Sequence, residues 1–178
     1  MLPTPSLRKN NSSFTLTELL VLIAALFIVI TLALPPSSFW ERTFLQQELQ
    51  GLESTIVFLQ QKAIARGSEE RLSFDLANHT YSYPTMHNRL ASHRLAREVL
   101  FGTLPHAHGP PSKPTTMLDR ASTFPDDRIV FFPTGVATSG TIYLKTKSSA
   151  LLAALTCAVS QATCTRRYFY DRGRWQTA

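Results

Sequence analysis

Between Phe14 and Leu34 the chain has 21 residues, FTLTELLVLIAALFIVITLAL, and Glu18 is the only charged residue among them. At ~1.5 Å per residue, a helix of this length measures about 31 Å, which is close to the thickness of a bilayer's hydrocarbon core. The run therefore predicts a membrane-spanning helix. A carboxylate inside such a span needs a reason, because it costs about 2.5 to 3.5 kcal/mol at the centre of the span and less near an end.

The residues on either side of the run bear on its orientation and on its type. Arg8 and Lys9 precede it without any acidic residue, so the first segment should stay in the cytoplasm and the rest of the chain should emerge on the far side. A cleaved secretory signal has a shorter apolar region of roughly 7 to 15 residues that ends in small residues. This run is longer and ends in Leu34-Pro35-Pro36. An ordinary signal anchor fits the length but leaves Glu18 unexplained.

A basic leader, the small residue Ser13 and the sequence Phe14-Thr15-Leu16-x-Glu18 stand at the start of the apolar run. This order resembles the class III signal of type IV pilins and type II secretion pseudopilins. The resemblance implies that a membrane aspartyl peptidase cuts between Ser13 and Phe14 and methylates the new amine of Phe14. The helix then stays as a membrane anchor and later becomes filament core. The family nearly always has Gly before the cut, so Ser13 implies slower processing.

The same resemblance implies a role for Glu18 in assembly. In this family, the Glu at the fifth mature position offsets the N-terminal ammonium of a neighbouring subunit. An amine and a carboxylate are each costly alone in lipid, and they pair when subunits pack in one axial register. Glu18 is therefore expected to set the register of subunits in a polymer.

A second helical segment is expected after Pro35-Pro36, which ends or kinks the span because proline cannot donate a helical hydrogen bond. Apolar residues then recur at alternating steps of four and three, forming a seam that consists of Leu45, Leu49, Leu52, Ile56, Leu59 and Ala63. This spacing predicts an amphipathic helix within residues 35–67 that ends at Gly67. Glu48, Glu53 and Lys62 are expected on its other faces.

Beyond Gly67 the apolar period changes to two, which predicts a β-rich head over residues 68–178. Strands are expected near 70–76 and 79–84, and around a glycine-containing turn within 127–146. Residues 88–102 predict a short helix or a broken strand, and the proline-rich residues 103–116 predict a loop. Residues 148–164 resemble an insertion before the last strands, which form a hairpin over 166–176 with its tip at 171–173.

Three stretches of the head, RLSFDL, IVFFPTGVATSGTIYL and the terminal GRW, resemble the GspH/FimT family of minor pseudopilins and minor pilins. The most recognisable pattern is F-x-P-x-G…G-x-I-x-L, carried by Phe131 or Phe132, Pro133, Gly135, Gly140, Ile142 and Leu144. The resemblance covers residues 12–84 and 128–176. It implies an α+β, type IV pilin-like fold in which a long N-terminal helix packs on an antiparallel β-sheet head.

The implied function is that of a minor pseudopilin in a type II secretion system, which joins a periplasmic pseudopilus and promotes export of folded proteins across the outer membrane. Residues 1–13 would be a cytoplasmic leader and 14–34 a single inner-membrane span, with the head in the periplasm of a Gram-negative-type bacterium. Implied partners are other pseudopilins or pilins, which bind through the N-terminal helix, the prepilin peptidase and the inner-membrane assembly platform. Two alternatives remain open: a FimT-like minor type IV pilin in pilus assembly, adhesion or DNA uptake, and a membrane-anchored periplasmic enzyme or binding protein.

The two cysteines, Cys157 and Cys164, are separated by six residues. If this part of the chain is periplasmic, the pair predicts a local disulfide, and in the cytosol they would be two unrelated buried thiols.

No catalytic, metal or cofactor motif is found in the sequence. His106 and His108 stand on a proline-rich loop without a nearby Cys or paired carboxylate, which is a weak pattern for zinc. The pair Glu69-Glu70 is expected to be solvated. The net charge of +6 raises the question of nucleic acid, but the basic residues are scattered and RRYFYDRGRW alternates as a strand does. We therefore expect no enzyme activity, no cofactor and no nucleic-acid partner.

Overall fold

The structure is a computed structural model that describes residues 15–33, 37–110, 116–148, 151–158, 165–171 and 173–177. Contacts divide the chain into two units, Met1–Pro36 and Ser37–Ala178. Ser13, Phe14 and Cys164 lie outside the described residues, so cleavage, methylation and the disulfide remain predictions.

The first unit contains helix α1, Leu16–Ala33, which begins and ends inside the apolar run of residues 14–34. Its exposed large apolar side chains range in exposed fraction from 45% at Ile23 to 79% at Leu16. In the described residues, no helix combines the length and the apolar character that are needed to cross a membrane. The run predicted from the sequence extends beyond α1 at both ends.

The second unit is built on helix α2, Ser37–Arg66, and Gly67 follows its last residue. Gly67 has a φ of +63°, in the left-handed region that glycine adopts without strain. The predicted amphipathic helix is confirmed, because every residue of the seam defined above is at most 1% exposed. These side chains form one apolar core with residues of the strands.

Two antiparallel sheets make up the described part of the head, where the sequence predicted one. The first sheet has the strand order β3-β2-β1-β5 and the second has the order β4-β6-β7-β8-β9. The strands are β1 Glu70–Asp75, β2 Thr80–Pro84, β3 Leu90–Arg94, β4 Val99–Phe101, β5 Arg128–Phe131, β6 Gly140–Thr146, β7 Leu152–Cys157, β8 Thr165–Asp171 and β9 Arg174–Thr177. Helix α2 contacts strands of both sheets.

Most of the predicted strands are confirmed, but the two strands on either side of the glycine-containing turn do not pair as expected. The first hairpin (β1, β2) and the last hairpin (β8, β9) form as expected. Residues 88–102 are a broken strand, since β3 and β4 belong to different sheets. Strands β5 and β6 lie on the two sides of the glycine-containing turn. They also belong to different sheets and do not pair with each other.

The sequence left open the shape of the insertion-like segment 148–164, and in its described part the structure places β7, an inner strand of the second sheet. Leu152, Ala153, Ala154 and Leu155 are all at most 1% exposed. Ala153 and Leu155 face the main core, whereas Leu152 and Ala154 face a second apolar cluster with Tyr143 and Tyr168. A strand that is buried on both faces shows a continuous apolar run, and the alternation that normally reveals a strand is lost.

The F-x-P-x-G…G-x-I-x-L pattern has a structural explanation in this fold. Gly135 has a φ of +83° in the turn after β5, and its carbonyl accepts a hydrogen bond of 2.6 Å from Gln60 Nε2 on α2. A Cβ atom on Gly140 would lie 2.4 Å from the ring of Phe124. Ile142 and Leu144 are fully buried. The pattern therefore serves the crossing of the chain from the first sheet to the second.

Candidate functional site

Glu18 lies in the first turn of α1 and forms reciprocal hydrogen bonds with Thr15. The Thr15 backbone N–H and its hydroxyl each donate to Glu18 Oε2 at 2.9 Å, and the Glu18 N–H donates to Thr15 Oγ1 at 3.3 Å. This is a capping box, in which a Thr at the N-cap and a Glu three residues later satisfy each other's free N–H groups. Glu18 therefore stabilises the start of the helix as well as carrying a charge.

The capping box was missed in the sequence, although its T-x-x-E signal is present in Thr15-Leu16-Thr17-Glu18. A cut between Ser13 and Phe14 would leave it intact, because the Thr15 N–H belongs to the peptide bond with Phe14. The role predicted for Glu18 in subunit register needs a carboxylate that is accessible to another chain. Glu18 is exposed in the structure.

The surface of α1 is apolar on all sides. Its exposed large apolar residues are Leu16, Leu19, Leu20, Val21, Leu22, Ile23, Leu26, Phe27, Ile28, Val29 and Ile30. Leaving such a surface in water is unfavourable by about 25 cal/mol for each Å², and a helix that is hydrophobic all round is normally buried in protein or lipid. The surface of α1 is therefore of the kind that protein or lipid normally covers.

Polar side chains of α2 attach it to both sheets, in addition to the buried seam. Glu48 Oε1 accepts a hydrogen bond of 2.9 Å from the Ala96 N–H, and its Oε2 lies 3.1 Å from Nε2 of His93 on β3. Glu53 accepts a 3.0 Å bond from the Thr165 hydroxyl and pairs with Arg167 Nε at 3.3 Å, both on β8. Helix α2 is therefore tied to the edge of the first sheet and to an inner strand of the second.

Lys62 and Glu70 form a buried ion pair, which corrects the prediction that Glu70 is solvated. Their side chains are 1% and 7% exposed, and Lys62 Nζ lies 2.8 Å from Glu70 Oε1. Nζ also donates to the carbonyl of Pro84 at 3.2 Å and to Asn88 Oδ1 at 3.3 Å. An ammonium has three N–H donors, and each of them finds an acceptor here. The burial depends on contacts that are distant in sequence, so helical periodicity could not reveal it.

The turn between β2 and β3 is held by the same end of α2. Arg66 donates to Asn88 Oδ1 at 2.6 Å and to the carbonyl of Met86. Lys62 and Arg66 thus share one acceptor on this turn. The last two turns of α2 therefore fix the position of the first sheet's outer hairpin.

The remaining candidate residues lie apart from these contacts. His106 and His108 are both exposed on the loop after β4, and among the described residues no group of three or more His, Cys, Asp or Glu side chains is arranged to hold a metal ion. Cys157 is buried on β7. Its predicted partner Cys164 is outside the described residues, so the structure does not test the disulfide.

Comparison with known proteins gives one result of note. No protein-family profile matches the chain, and no curated protein matches it. The structure aligns with the minor pseudopilin EpsH from the type 2 secretion system of Vibrio cholerae over 75% of this chain and 94% of that chain. The sequence identity is 12% and the TM-score is 0.42. An alignment at this level does not assign the chain to a family.

Proposed function

We propose that the protein is a minor pseudopilin of a type II secretion system, assembling into the periplasmic pseudopilus that promotes export of folded proteins. The observation that carries the proposal is α1, an apolar helix that is exposed on all sides and whose one charged residue, Glu18, lies in its first turn. The capping box explains a hydrogen-bond acceptor at this position in any helix, whereas a subunit of a polymer also has a use for the charge of Glu18.

In this proposal residues 14–34 hold the subunit in the inner membrane until it assembles. After the cut, the new ammonium of Phe14 on one subunit pairs with Glu18 of a neighbour. The pairing contributes more in an apolar setting than in water, because each charge alone would be costly there. Close packing of the apolar faces of neighbouring helices then supplies the remaining cohesion, as it does between helices in membranes.

The head would act as a load-bearing body and not as a catalyst. The fully buried seam of α2 and the ion pairs of Glu53 and Lys62 join the helix to both sheets. A force applied along α2 is therefore passed to the whole head through packed side chains. That property suits a subunit whose work is mechanical.

The proposal is tested in a strain that lacks the chain and is complemented with the wild type or with Ser13→Gly. With the prepilin peptidase present, intact-mass analysis should find N-methyl-Phe14 at the N-terminus and the leader of residues 1–13 removed. Secretion of folded proteins into the medium should be lost in the deletion strain and restored by either gene. Ser13→Gly should be processed at least as fast as the wild type, since glycine is the usual residue of the family at that position.

Other results would contradict the proposal in distinct ways. A retained leader, or a cut after Leu34, would exclude a pilin-like subunit and favour the membrane-anchored enzyme or binding protein. Normal processing with intact secretion, combined with loss of surface pili or of DNA uptake, would instead identify a FimT-like minor pilin.

A further inference from the structure

Phe39 and Trp40 form an exposed aromatic pair near the start of α2. Their side chains are 56% and 52% exposed, and their rings meet edge to face with centroids 6.0 Å apart. They precede Leu45 by six and five residues, whereas the buried seam advances by steps of three and four. The pair therefore lies off the face of α2 that packs against the sheets.

The indole N–H of Trp40 donates to no acceptor within the described part of the chain. The other tryptophan, Trp175, is different. Its Nε1 donates to the carbonyl of His108 at 2.8 Å, and its ring lies 5.0 Å from that of Tyr170. Buried indoles usually find such a partner, and exposed ones concentrate where an apolar body and a polar tip are both satisfied.

The position of the pair in the sequence indicates what covers it. Trp40 follows Leu34, the end of the apolar run, by only six residues, so even a fully extended chain would place it at most about 22 Å from the end of that run. The polar headgroup layer on each side of a bilayer is roughly 5 to 8 Å thick. Helical side chains lean toward the N-terminus of their helix, so both rings lean toward the start of α2.

We propose that Phe39 and Trp40 lie in the headgroup layer of a phospholipid bilayer, where the rings pack on the upper acyl chains. The indole N–H donates to a lipid ester carbonyl. Tryptophan is enriched at this depth because its ring is apolar and its N–H is polar. The pair would set the height of the head above the membrane before assembly. This inference rests on the membrane anchoring proposed above for residues 14–34.

The experiment uses the two tryptophans of the full-length chain as separate reporters. Trp175→Phe leaves Trp40 as the single tryptophan, and Trp40→Phe leaves Trp175. Both variants are reconstituted at low density into vesicles of phosphatidylethanolamine and phosphatidylglycerol, brominated either near the ester carbonyl or at the chain end. Trp40 should lose emission strongly with the shallow bromine and little with the deep one, and Trp175 should lose emission with neither. Circular dichroism checks that both variants keep the fold.

Flotation of the vesicles separates a failure of this inference from a failure of the proposed anchor. A chain that does not float with the vesicles overturns both. A chain that floats, but whose Trp40 emission is unchanged by either brominated lipid, overturns the interfacial position alone. If Trp40 is shielded from an aqueous quencher only when chain density is raised, the pair is covered by a second copy and not by lipid, which also overturns the inference.

Discussion

Glu18 combines two interactions that call for different properties of its side chain. The capping box with Thr15 requires a hydrogen-bond acceptor, which glutamine also supplies. The proposed pairing with a neighbour's ammonium requires a negative charge. Loss of a helix cap costs about 0.5 to 2 kcal/mol. Removal of one partner from a buried ion pair costs about 3 to 5 kcal/mol, so the charge should dominate assembly.

We therefore expect Glu18→Gln and Glu18→Ala to impair incorporation into the filament to a similar extent, while both still insert into the membrane. Thr15→Ala is the matched control, since it weakens the cap and keeps the charge, and it should assemble almost as well as the wild type. Cross-linking of neighbouring subunits, read together with secretion, measures the effect. Wild-type assembly by Glu18→Gln would show that the charge has no role in register.

At the scale of elements, the ion pair that joins α2 to β1 is buried, whereas a nearby pair between β1 and the residue before it is exposed. Lys62 and Glu70 are almost fully buried at 2.8 Å, whereas Arg71 and Glu69 are 62% and 48% exposed at 3.5 Å. Exposed pairs contribute about 0 to 1 kcal/mol. In a buried pair, the loss of one partner leaves an uncompensated charge in the interior.

Lys62→Met should destabilise the protein by about 3 to 5 kcal/mol, because it leaves the Glu70 carboxylate buried without its cation. Arg71→Met, the control at the exposed pair, should change stability by less than about 1 kcal/mol. The double variant Lys62→Met/Glu70→Leu should recover much of the loss, since both charges are then gone. Denaturant unfolding of the full-length chain in detergent measures all three. Equal effects of Lys62→Met and Arg71→Met would contradict the burial of the first pair.

For the whole molecule, two buried tyrosines make stability depend on pH in the alkaline range. Burial raises the pKa of Tyr81 to about 12, and the nearby carboxylate of Glu48 acts in the same direction while the Thr55 hydroxyl opposes it. Burial likewise raises the pKa of Tyr143 to about 12, against an opposing hydrogen bond from Thr141. An unfolded tyrosine has a pKa of about 10, so above that pH the unfolded chain loses these protons first. The contribution is complete below about pH 10 and is lost as the pH rises toward 12.

The fold should therefore weaken between about pH 10 and pH 12, and the variant Tyr81→Phe/Tyr143→Phe should weaken less over the same interval. Thermal unfolding midpoints at about pH 8 and about pH 11 give the difference for each protein. Comparing the change in midpoint between the two pH values, and not the midpoints themselves, removes the pH-independent cost of losing the hydroxyl groups. Equal losses in the wild type and the double variant would show that these phenols do not control the alkaline transition.

Features that depend on near neighbours in the chain could be read from the sequence. The seam of α2, its end at Gly67 and the two hairpins follow from local periodicity and turn residues, and the structure confirms them. Glu18 stands out because it is the one charge in an apolar run, and its capping partner Thr15 is only three residues away. The cleavage site and the disulfide stay predictions.

Features that depend on distant pairing were decided by the tertiary structure alone. The separation of β5 and β6 into different sheets and the inner position of β7 follow from which strands meet, and no local pattern encodes that choice. Lys62 looks like a surface residue in the sequence, and it is buried because Glu70, the carbonyl of Pro84 and Asn88 together satisfy its three donors. The physical reason is the same in each case. Periodicity records which face of an element is apolar, whereas pairing and burial depend on what that face meets.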